Sequence, residues 1–286
     1  MRDYLLETKL RTENRALHRL TKDSAAVLQK MLESFLPRFP DFTDHTILHS
    51  MDVLEYCNLL LGEKQIERLT AAECYVLIMS CYLHDIGMGI NQKNYEELSQ
   101  KIDFGDYFET HSRENTEMII RDFHNEYSGL FIRKYSDLFD IPSDAMTRAI
   151  IQVSRGHRKT DLLDRSEFGD IQADGAVIRT AYLSAVMRLA DEIDVASDRN
   201  PILLFGDKTI RGERSIIEFG LHESILHVDV GDDAVTLQTR PKTAEYRPKI
   251  ETLADKITDT LSYCRTVAEQ TSDLRIRQNR IIVSEL

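Results

Sequence analysis

One short segment of the sequence combines the residue types of a metal site. The segment YLHDIGMG places His84 beside Asp85, where an apolar helix pattern ends just before Gly87. Neutral imidazole and carboxylate are ligands for divalent transition metals, and such a pair needs polar partners if it is buried. Taken alone, the pair is equally compatible with a helix-terminal histidine beside a solvated aspartate.

A second candidate lies in an apolar helix pattern further along the chain, GAVIRTAYLSAVMRLADEIDVA. Ser184, Arg188 and Asp191 form one polar stripe along this pattern. Because a carboxylate and a guanidinium on a buried helix need partners, the stripe predicts one of two arrangements. Either Arg188 and Asp191 form a structural ion pair, or Asp191 binds a metal while Arg188 supports it or contacts a phosphate. Asp194, on the same face, is a reserve candidate.

Two histidines at helical spacing form a third candidate. His45 and His49 share a helix face, so that both can bind one metal, or one can bind while the other lines a substrate pocket. Asp52, three residues after His49, either orients a ligand or lies on the surface. The remaining lone histidines are assigned to surface or core positions: His18, His124, His222 and His227.

These motifs resemble those of the HD superfamily of metal-dependent phosphohydrolases, over residues 40–200. HSMDV, LHDIGM and a distant RLAD reproduce the order His, His-Asp, Asp that defines the superfamily. Within it, TDHTILHSMDVL with LHDIGM is most similar to the HD-CE group, which is often fused to a chaperone-type ATPase. The chain contains no G-x-x-x-x-G-K-[ST] motif, and the absence of the HD-GYP signature argues against cleavage of cyclic di-GMP.

The resemblance implies a set of metal ligands. Four residues would hold one ion: His49, His84, Asp85 and Asp191. Some members bind a second ion through two further histidines, whose places in the order match His111 and His157, and Asp85 would then bridge the ions. The expected cofactor is one or two divalent transition-metal ions, and Mn, Fe, Co, Ni and Zn all suit these ligand types.

The implied activity is hydrolysis of a phosphate ester by metal-activated water. Its predicted catalytic residues are Asp85, Arg188 and His45, the last as an acid or a substrate contact. The predicted phosphate contacts are cations around His157 and on the helix of Asp191: Arg155, Arg158, Lys159 and Arg188. For each of them, the alternative is a solvated charge without a role in the site. Residues 87–109 are predicted to form a wall or lid of the pocket, whose tyrosines either stack on a base or pack.

The expected substrate is a nucleotide or a similar small phosphorylated molecule. The alternative is a catalytically silent HD-type module that binds a nucleotide or metal, regulates, and docks a partner protein. The family resemblance suggests an ATPase as that partner, and a homodimer also stays open.

Composition restricts the class of protein. The 286 residues are 42 % apolar, enough for one large core. The net charge of −12 disfavours duplex nucleic acid as a partner. No apolar stretch approaches the ~20 residues that span a bilayer, and MRDYLLETKL lacks the apolar core of a signal peptide. We therefore predict a cytoplasmic protein without membrane contact, whose four cysteines are buried thiols.

The periodicity of apolar residues predicts a mainly α fold, an HD-type helical bundle with a small antiparallel β insert near the C-terminus. The predicted helices are 3–37, 44–61 with Asp44 as cap, 70–87 with a Thr70–Glu73 capping box, 110–124, 143–155, 175–196 and 247–272. The predicted strands are 215–223, 224–230 and 234–239, and the tail after 274 is either a strand or loosely packed. The predicted units are a helical core with N-terminal helices (1–200), the β insert (201–245), and a C-terminal helix and tail packing on the core (246–286).

Overall fold

The computed structural model describes residues 4–32, 46–113, 115–158, 160–196 and 213–286. Most of these residues are helical, which confirms the predicted fold class. The helices up to residue 155 are α1 (Leu5–Glu13), α2 (Arg15–Leu32), α3 (Ile47–Ile66), α4 (Ala71–Leu83), α5 (Gln92–Ser99), α6 (Tyr107–Thr110), α7 (Thr116–Lys134) and α8 (Asp144–Arg155).

Helix α4 is the centre of the bundle. All its residues after Ala71 are buried, and helices α1, α2, α3 and α8 pack around it. Its start is the predicted capping box: the Thr70 hydroxyl accepts from the Glu73 amide at 3.1 Å, and the Glu73 carboxylate accepts from the Thr70 amide at 2.9 Å. Because α4 is apolar on all sides, its C-terminal end, where His84 and Asp85 follow, lies inside the protein.

The starts of helices α3 and α7 differ from the predictions. Helix α3 is capped by Thr46, whose side chain accepts from the Leu48 amide, whereas the predicted cap Asp44 lies outside the described residues. The helix predicted at 110–124 begins at Thr116, because the Asn115 side chain accepts from the Met118 amide and caps it. This helix α7 then continues to Lys134, one long element with a non-helical residue at Phe123.

The helix predicted from residue 175 begins later. Strands β1 (Ile171–Ala173) and β2 (Ala176–Ile178) form an antiparallel hairpin. The turn consists of Asp174 and Gly175, whose φ values of 50° and 79° are left-handed, as Asp-Gly hairpin turns require. Helix α9 (Thr180–Ile193) follows this hairpin and carries the predicted stripe of Ser184, Arg188 and Asp191.

The prediction of a strand at 215–223 was wrong. These residues belong to helix α10 (Glu213–Glu223), in which Phe219 is buried while Ile216 is exposed. The alternation of apolar residues there is incomplete, so a helical period fits it as well.

The predicted hairpin after it is present as β3 (Ile225–Val230) and β4 (Ala234–Thr239). Helix α11 (Arg247–Thr271) follows and packs on α9. The tail forms β5 (Arg280–Glu285), which pairs with β4 in parallel and makes this sheet mixed. Of the two conformations that the sequence allowed for the tail, a strand or loose packing, the structure shows the strand.

The four cysteines agree with the expectation from composition. Cys57, Cys74, Cys81 and Cys264 are free and buried. None of the helices in the described ranges combines the length and apolar character that crossing a membrane requires.

Candidate metal centre

The turn after α4 holds the His-Asp pair against α7. Ser128 on α7 donates its hydroxyl to the His84 carbonyl at 2.5 Å and accepts from the Gly87 amide at 2.9 Å. A Cβ at Gly87 would lie 2.3 Å from the His124 carbonyl oxygen, so glycine is required for this close approach. The turn and the helix are therefore fixed to each other, and His124 is brought to the side of Asp85.

The first cluster joins three helix ends. His49 from α3, His84 from the end of α4 and Asp191 from α9 have ligand atoms that all lie within 4.8 Å of one another. The two Nε2 atoms are 3.1 Å apart, and Oδ1 of Asp191 lies 3.3 Å from Nε2 of His49. Both histidines are buried. These residues match three of the four ligands that the resemblance implied for one ion.

The second cluster includes Asp85 itself and lies on the side of this residue that faces away from the first cluster. It consists of Asp85, His124 and His157, all buried, with ligand atoms again within 4.8 Å of one another. The Nε2 atoms of the two histidines are 2.8 Å apart. His124 follows the non-helical residue Phe123 of α7, and His157 follows the end of α8.

The carboxylate of Asp85 lies between the clusters. Its Oδ2 is 3.3 Å from Nε2 of His84 and 3.4 Å from Nε2 of His49. Its Oδ1 is 3.2 Å from Nε2 of His124 and 3.7 Å from Nε2 of His157. One oxygen faces each cluster, which is the arrangement expected of a carboxylate that bridges two cations.

Hydrogen bonds at the outer nitrogens orient all four imidazoles. Nδ1 lies 2.6 Å from an Asp194 oxygen in His49 and 2.9 Å from the Cys81 carbonyl in His84. Nδ1 lies 2.6 Å from the Arg121 carbonyl in His124 and 2.5 Å from the Ser154 carbonyl in His157. Because each Nδ1 faces an oxygen acceptor, we assign the ring proton to Nδ1, so that each neutral ring presents the lone pair of Nε2 to the clusters.

These lone pairs converge on one another and on the carboxylates. Four Nε2 acceptors and the oxygens of Asp85 and Asp191 meet in a largely buried space. With this assignment, none of the four rings donates a hydrogen bond to another. Buried acceptors that face only acceptors are unfavourable. A cation in each cluster satisfies them, and imidazole with carboxylate is the donor set of divalent transition metals.

The charge states of the side chains agree with metal binding. Burial, together with His84 and His124, holds the pKa of His157 well below its usual range, so that the ring is neutral near pH 7. Burial alone would raise the pKa of Asp191, but its close contact with the ring of His49 and the nearby rings of His84 and His157 lower that pKa far below the ordinary value. A neutral imidazole and an ionised carboxylate are the forms that bind metal.

One histidine of the predicted set of metal ligands lies outside both clusters. His111, predicted as a ligand, is exposed beyond the end of α6, stacks on Tyr107 and belongs to neither cluster. His124, assigned from sequence to the surface or a satisfied core, occupies the corresponding place. A sequence signal for it exists, because Ile120, His124 and Tyr127 recur at helical spacing on the buried face of α7.

The residue that orients His49 is Asp194 rather than Asp52. Asp194, the reserve candidate, is buried and binds Nδ1 of His49. Asp52 is half-buried and lines a groove of about 320 Å³ that Asp194 also borders. The orienting role that the sequence offered to Asp52 is therefore carried by the carboxylate at the end of α9.

The predicted phosphate contacts have different surroundings. Arg155 forms ion pairs with Glu126, at 2.7 Å, and with Glu167. Arg188 donates to the Gly156 carbonyl at 2.7 Å and to the Thr160 carbonyl at 2.8 Å, so it fixes the loop that carries His157. In the described residues Arg188 thus contacts backbone carbonyls rather than Asp191, and its predicted contact with a phosphate stays a prediction.

Arg158 is the exception among these arginines. Its half-buried side chain forms no ion pair or hydrogen bond with any part of the chain that the structure describes. It borders two cavities, one of about 260 Å³ that His124 and Asp191 also line, and one of about 780 Å³ beside it. Lys159 and His45 lie outside the described residues.

Separate substitution of His124 and His111 tests which of the two histidines binds metal. We expect His124→Ala to lower the metal content of the chain by one ion, because Asp85 and His157 alone remain in the second cluster. His111→Ala is the matched control, and we expect it to retain every ion. Elemental analysis of both variants after loading with Mn²⁺ measures this, and loss of an ion from His111→Ala alone would restore the set predicted from sequence.

The comparisons with known proteins agree with this geometry. The model of the HD-CE family matches residues 39–270, which includes every residue of both clusters. Searches of curated proteins and of solved structures returned no significant match.

Proposed function

This chain belongs to the HD-CE family, and from that premise we propose that it is a metal-dependent phosphohydrolase that cleaves a phosphate ester of a nucleotide or similar small molecule. The observation that carries the proposal is the placement of Asp85 between two histidine clusters, with one carboxylate oxygen toward each. Paired divalent sites of this kind are typical of enzymes that hydrolyse phosphate esters.

Six residues would hold the metal ions in this proposal: His49, His84, Asp85, His124, His157 and Asp191. Divalent ions there supply Lewis acidity and promote deprotonation of water near neutral pH. Asp194 fixes the ring of His49, and Arg188 fixes the loop of His157. The protein thus holds its ligands in place before substrate arrives, which is the requirement for electrostatic catalysis.

Arg158 is the proposed phosphate contact. A guanidinium donates bidentate hydrogen bonds to phosphate oxygens. In the described ranges this one forms no salt bridge, although the Glu192 carboxylate in the smaller cavity attracts it. The position of Arg158 at the border of both cavities would let it contact a phosphate at the clusters while the organic part of the substrate lies in the larger cavity.

Phosphate release by the Mn²⁺-loaded chain tests the proposal, with p-nitrophenyl phosphate and a panel of nucleoside monophosphates as probes. We expect metal-dependent release, and we expect Arg158→Ala to lower kcat/KM by about 100-fold, the effect of removing one donor from a developing oxyanion. Arg148→Ala is the matched control, because Arg148 is an exposed arginine on α8. Absence of release with every probe, or equal rates for Arg158→Ala and the unmodified chain, would contradict the proposal.

A further inference from the structure

The cavity of about 780 Å³ has an aromatic wall, and we name it the aromatic cleft. Its lining includes Tyr107, His111, Phe123, Asn125 and Arg158. Phe123 and Asn125 flank the cluster residue His124 along α7. Arg158 lines both the aromatic cleft and the smaller cavity that His124 and Asp191 border, so the cleft lies beside the candidate metal centre.

The rings of Tyr107 and His111 form a parallel stack. Their centroids are 4.1 Å apart and their planes differ by 5°. The Tyr107 hydroxyl donates to Asp122 at 2.7 Å, and Phe123 contacts the Tyr107 ring edge-on. Because Tyr107 covers one face of the His111 ring while His111 is exposed, the other face is open to a planar ligand. Aromatic rings prefer such offset-stacked arrangements.

A polar side chain completes the cleft. Asn125 has little exposure and lines the cleft, and its Nδ2 donates to Glu126 at 3.3 Å. No hydrogen bond from the described residues reaches its carbonyl oxygen. A carboxamide of this kind accepts from or donates to the edge of a heterocycle. Ring stacking and one amide contact together distinguish a heteroaromatic group from a sugar or polyol.

We infer that the aromatic cleft binds the planar heteroaromatic ring of the phosphate ester, with the ring on His111, its edge at Asn125 and its phosphate at Arg158. This inference rests on the proposed function and narrows the substrate to monoesters that carry such a ring. It assigns His111 a role in specificity rather than in metal binding.

Two phosphate monoesters that differ in the ring alone test the inference. Adenosine 5′-monophosphate carries the adenine ring, and ribose 5-phosphate has a hydroxyl in its place. We expect kcat/KM of the Mn²⁺-loaded chain to be about tenfold higher or more for the nucleotide, since a base that stacks on an aromatic side chain gains a contact that the hydroxyl lacks. Equal values for the two probes would overturn the inference.

Three variants separate stacking from other roles of His111. His111→Ala is expected to bring the ratio of the two kcat/KM values close to one, because the stacking surface is lost. His111→Phe is expected to keep the ratio, since it retains an aromatic plate without a metal-binding nitrogen. Glu109→Ala, an exposed residue of α6, is the control and keeps the ratio. Equal loss in the Phe and Ala variants would contradict a stacking role.

Equilibrium binding distinguishes failure of this inference from failure of the proposed function. If neither probe is hydrolysed, calorimetric titration of the Mn²⁺-loaded chain still measures both dissociation constants. About tenfold tighter binding of the nucleotide, lost in His111→Ala, would support the cleft while hydrolysis fails. Equal or undetectable binding of the two probes would overturn the cleft itself.

Discussion

Asp85→Ala is expected to lower both the metal content and the rate of phosphate-ester hydrolysis, the latter by about 1,000-fold or more. The reason is that Asp85, alone among the described residues, places one oxygen at each cluster. A bound metal is worth several kcal/mol of charge stabilisation in the transition state, and about 4 kcal/mol corresponds to a factor of 1,000 in rate. Elemental analysis and phosphate release measure the two effects on the same preparation.

The control for this variant is Asp255→Ala, an exposed carboxylate on α11. We expect it to keep the metal content and the rate of the unmodified chain. Circular dichroism of Asp85→Ala measures whether the helices are retained, which separates loss of metal from loss of fold. Full activity in Asp85→Ala would show that the bridging carboxylate is not part of the site.

Addition of a divalent metal is expected to raise the Tm of the chain by about 5–10 °C for each cluster filled, at a free metal concentration of 100 Kd. Binding at that concentration stabilises the folded state by about 2.7 kcal/mol per site, and 1 kcal/mol shifts the Tm of a domain of this size by about 2–4 °C. The physical reason is that a cation satisfies imidazole lone pairs that otherwise face one another at 2.8 and 3.1 Å.

Thermal unfolding with Mn²⁺ and with chelator measures this shift. The matched variants are Asp85→Ala, for which we expect half of the shift or less because the second cluster loses a ligand, and His111→Ala, for which we expect the full shift. An equal rise of the Tm in the unmodified chain and in Asp85→Ala would indicate that the metal binds elsewhere.

Much of the centre could be predicted from sequence because its residues lie in recognisable local patterns. His49, His84, Asp85 and Asp191 occur in short motifs whose helices have clear apolar periodicity, and the Thr70–Glu73 capping box fixes where α4 begins. Their meeting point depends on helix ends, and a helix end is visible in sequence as a cap or a glycine.

The residues that sequence missed depend on packing between distant segments. His124 reaches Asp85 because Gly87 lets α7 approach the turn within contact distance, and no motif around His124 shows this. Asp194 and Asp52 are equivalent candidates by spacing from their neighbours, but only the fold shows which carboxylate lies against Nδ1 of His49.

The spacing of residues in the sequence also could not predict which groups the arginines contact. Arg155, Arg158 and Arg188 have the same side chain and all lie near His157 in the fold. Arg155 nevertheless pairs with carboxylates, and Arg188 binds backbone carbonyls. Their partners come from residues far away along the chain, such as Glu126 for Arg155. Only Arg158 keeps its guanidinium available at the cavities, among the three arginines compared.

Every function proposed here requires that the clusters around Asp85 hold divalent metal, and the metal content per chain measures this most directly. Protein purified without chelator, and again after incubation with Mn²⁺, Fe²⁺, Co²⁺, Ni²⁺ or Zn²⁺, is analysed by elemental mass spectrometry. We predict about two ions per chain, one for each cluster that Asp85 joins. A chain that contains no transition metal and takes up none of these ions would show that the two clusters are not a metal centre.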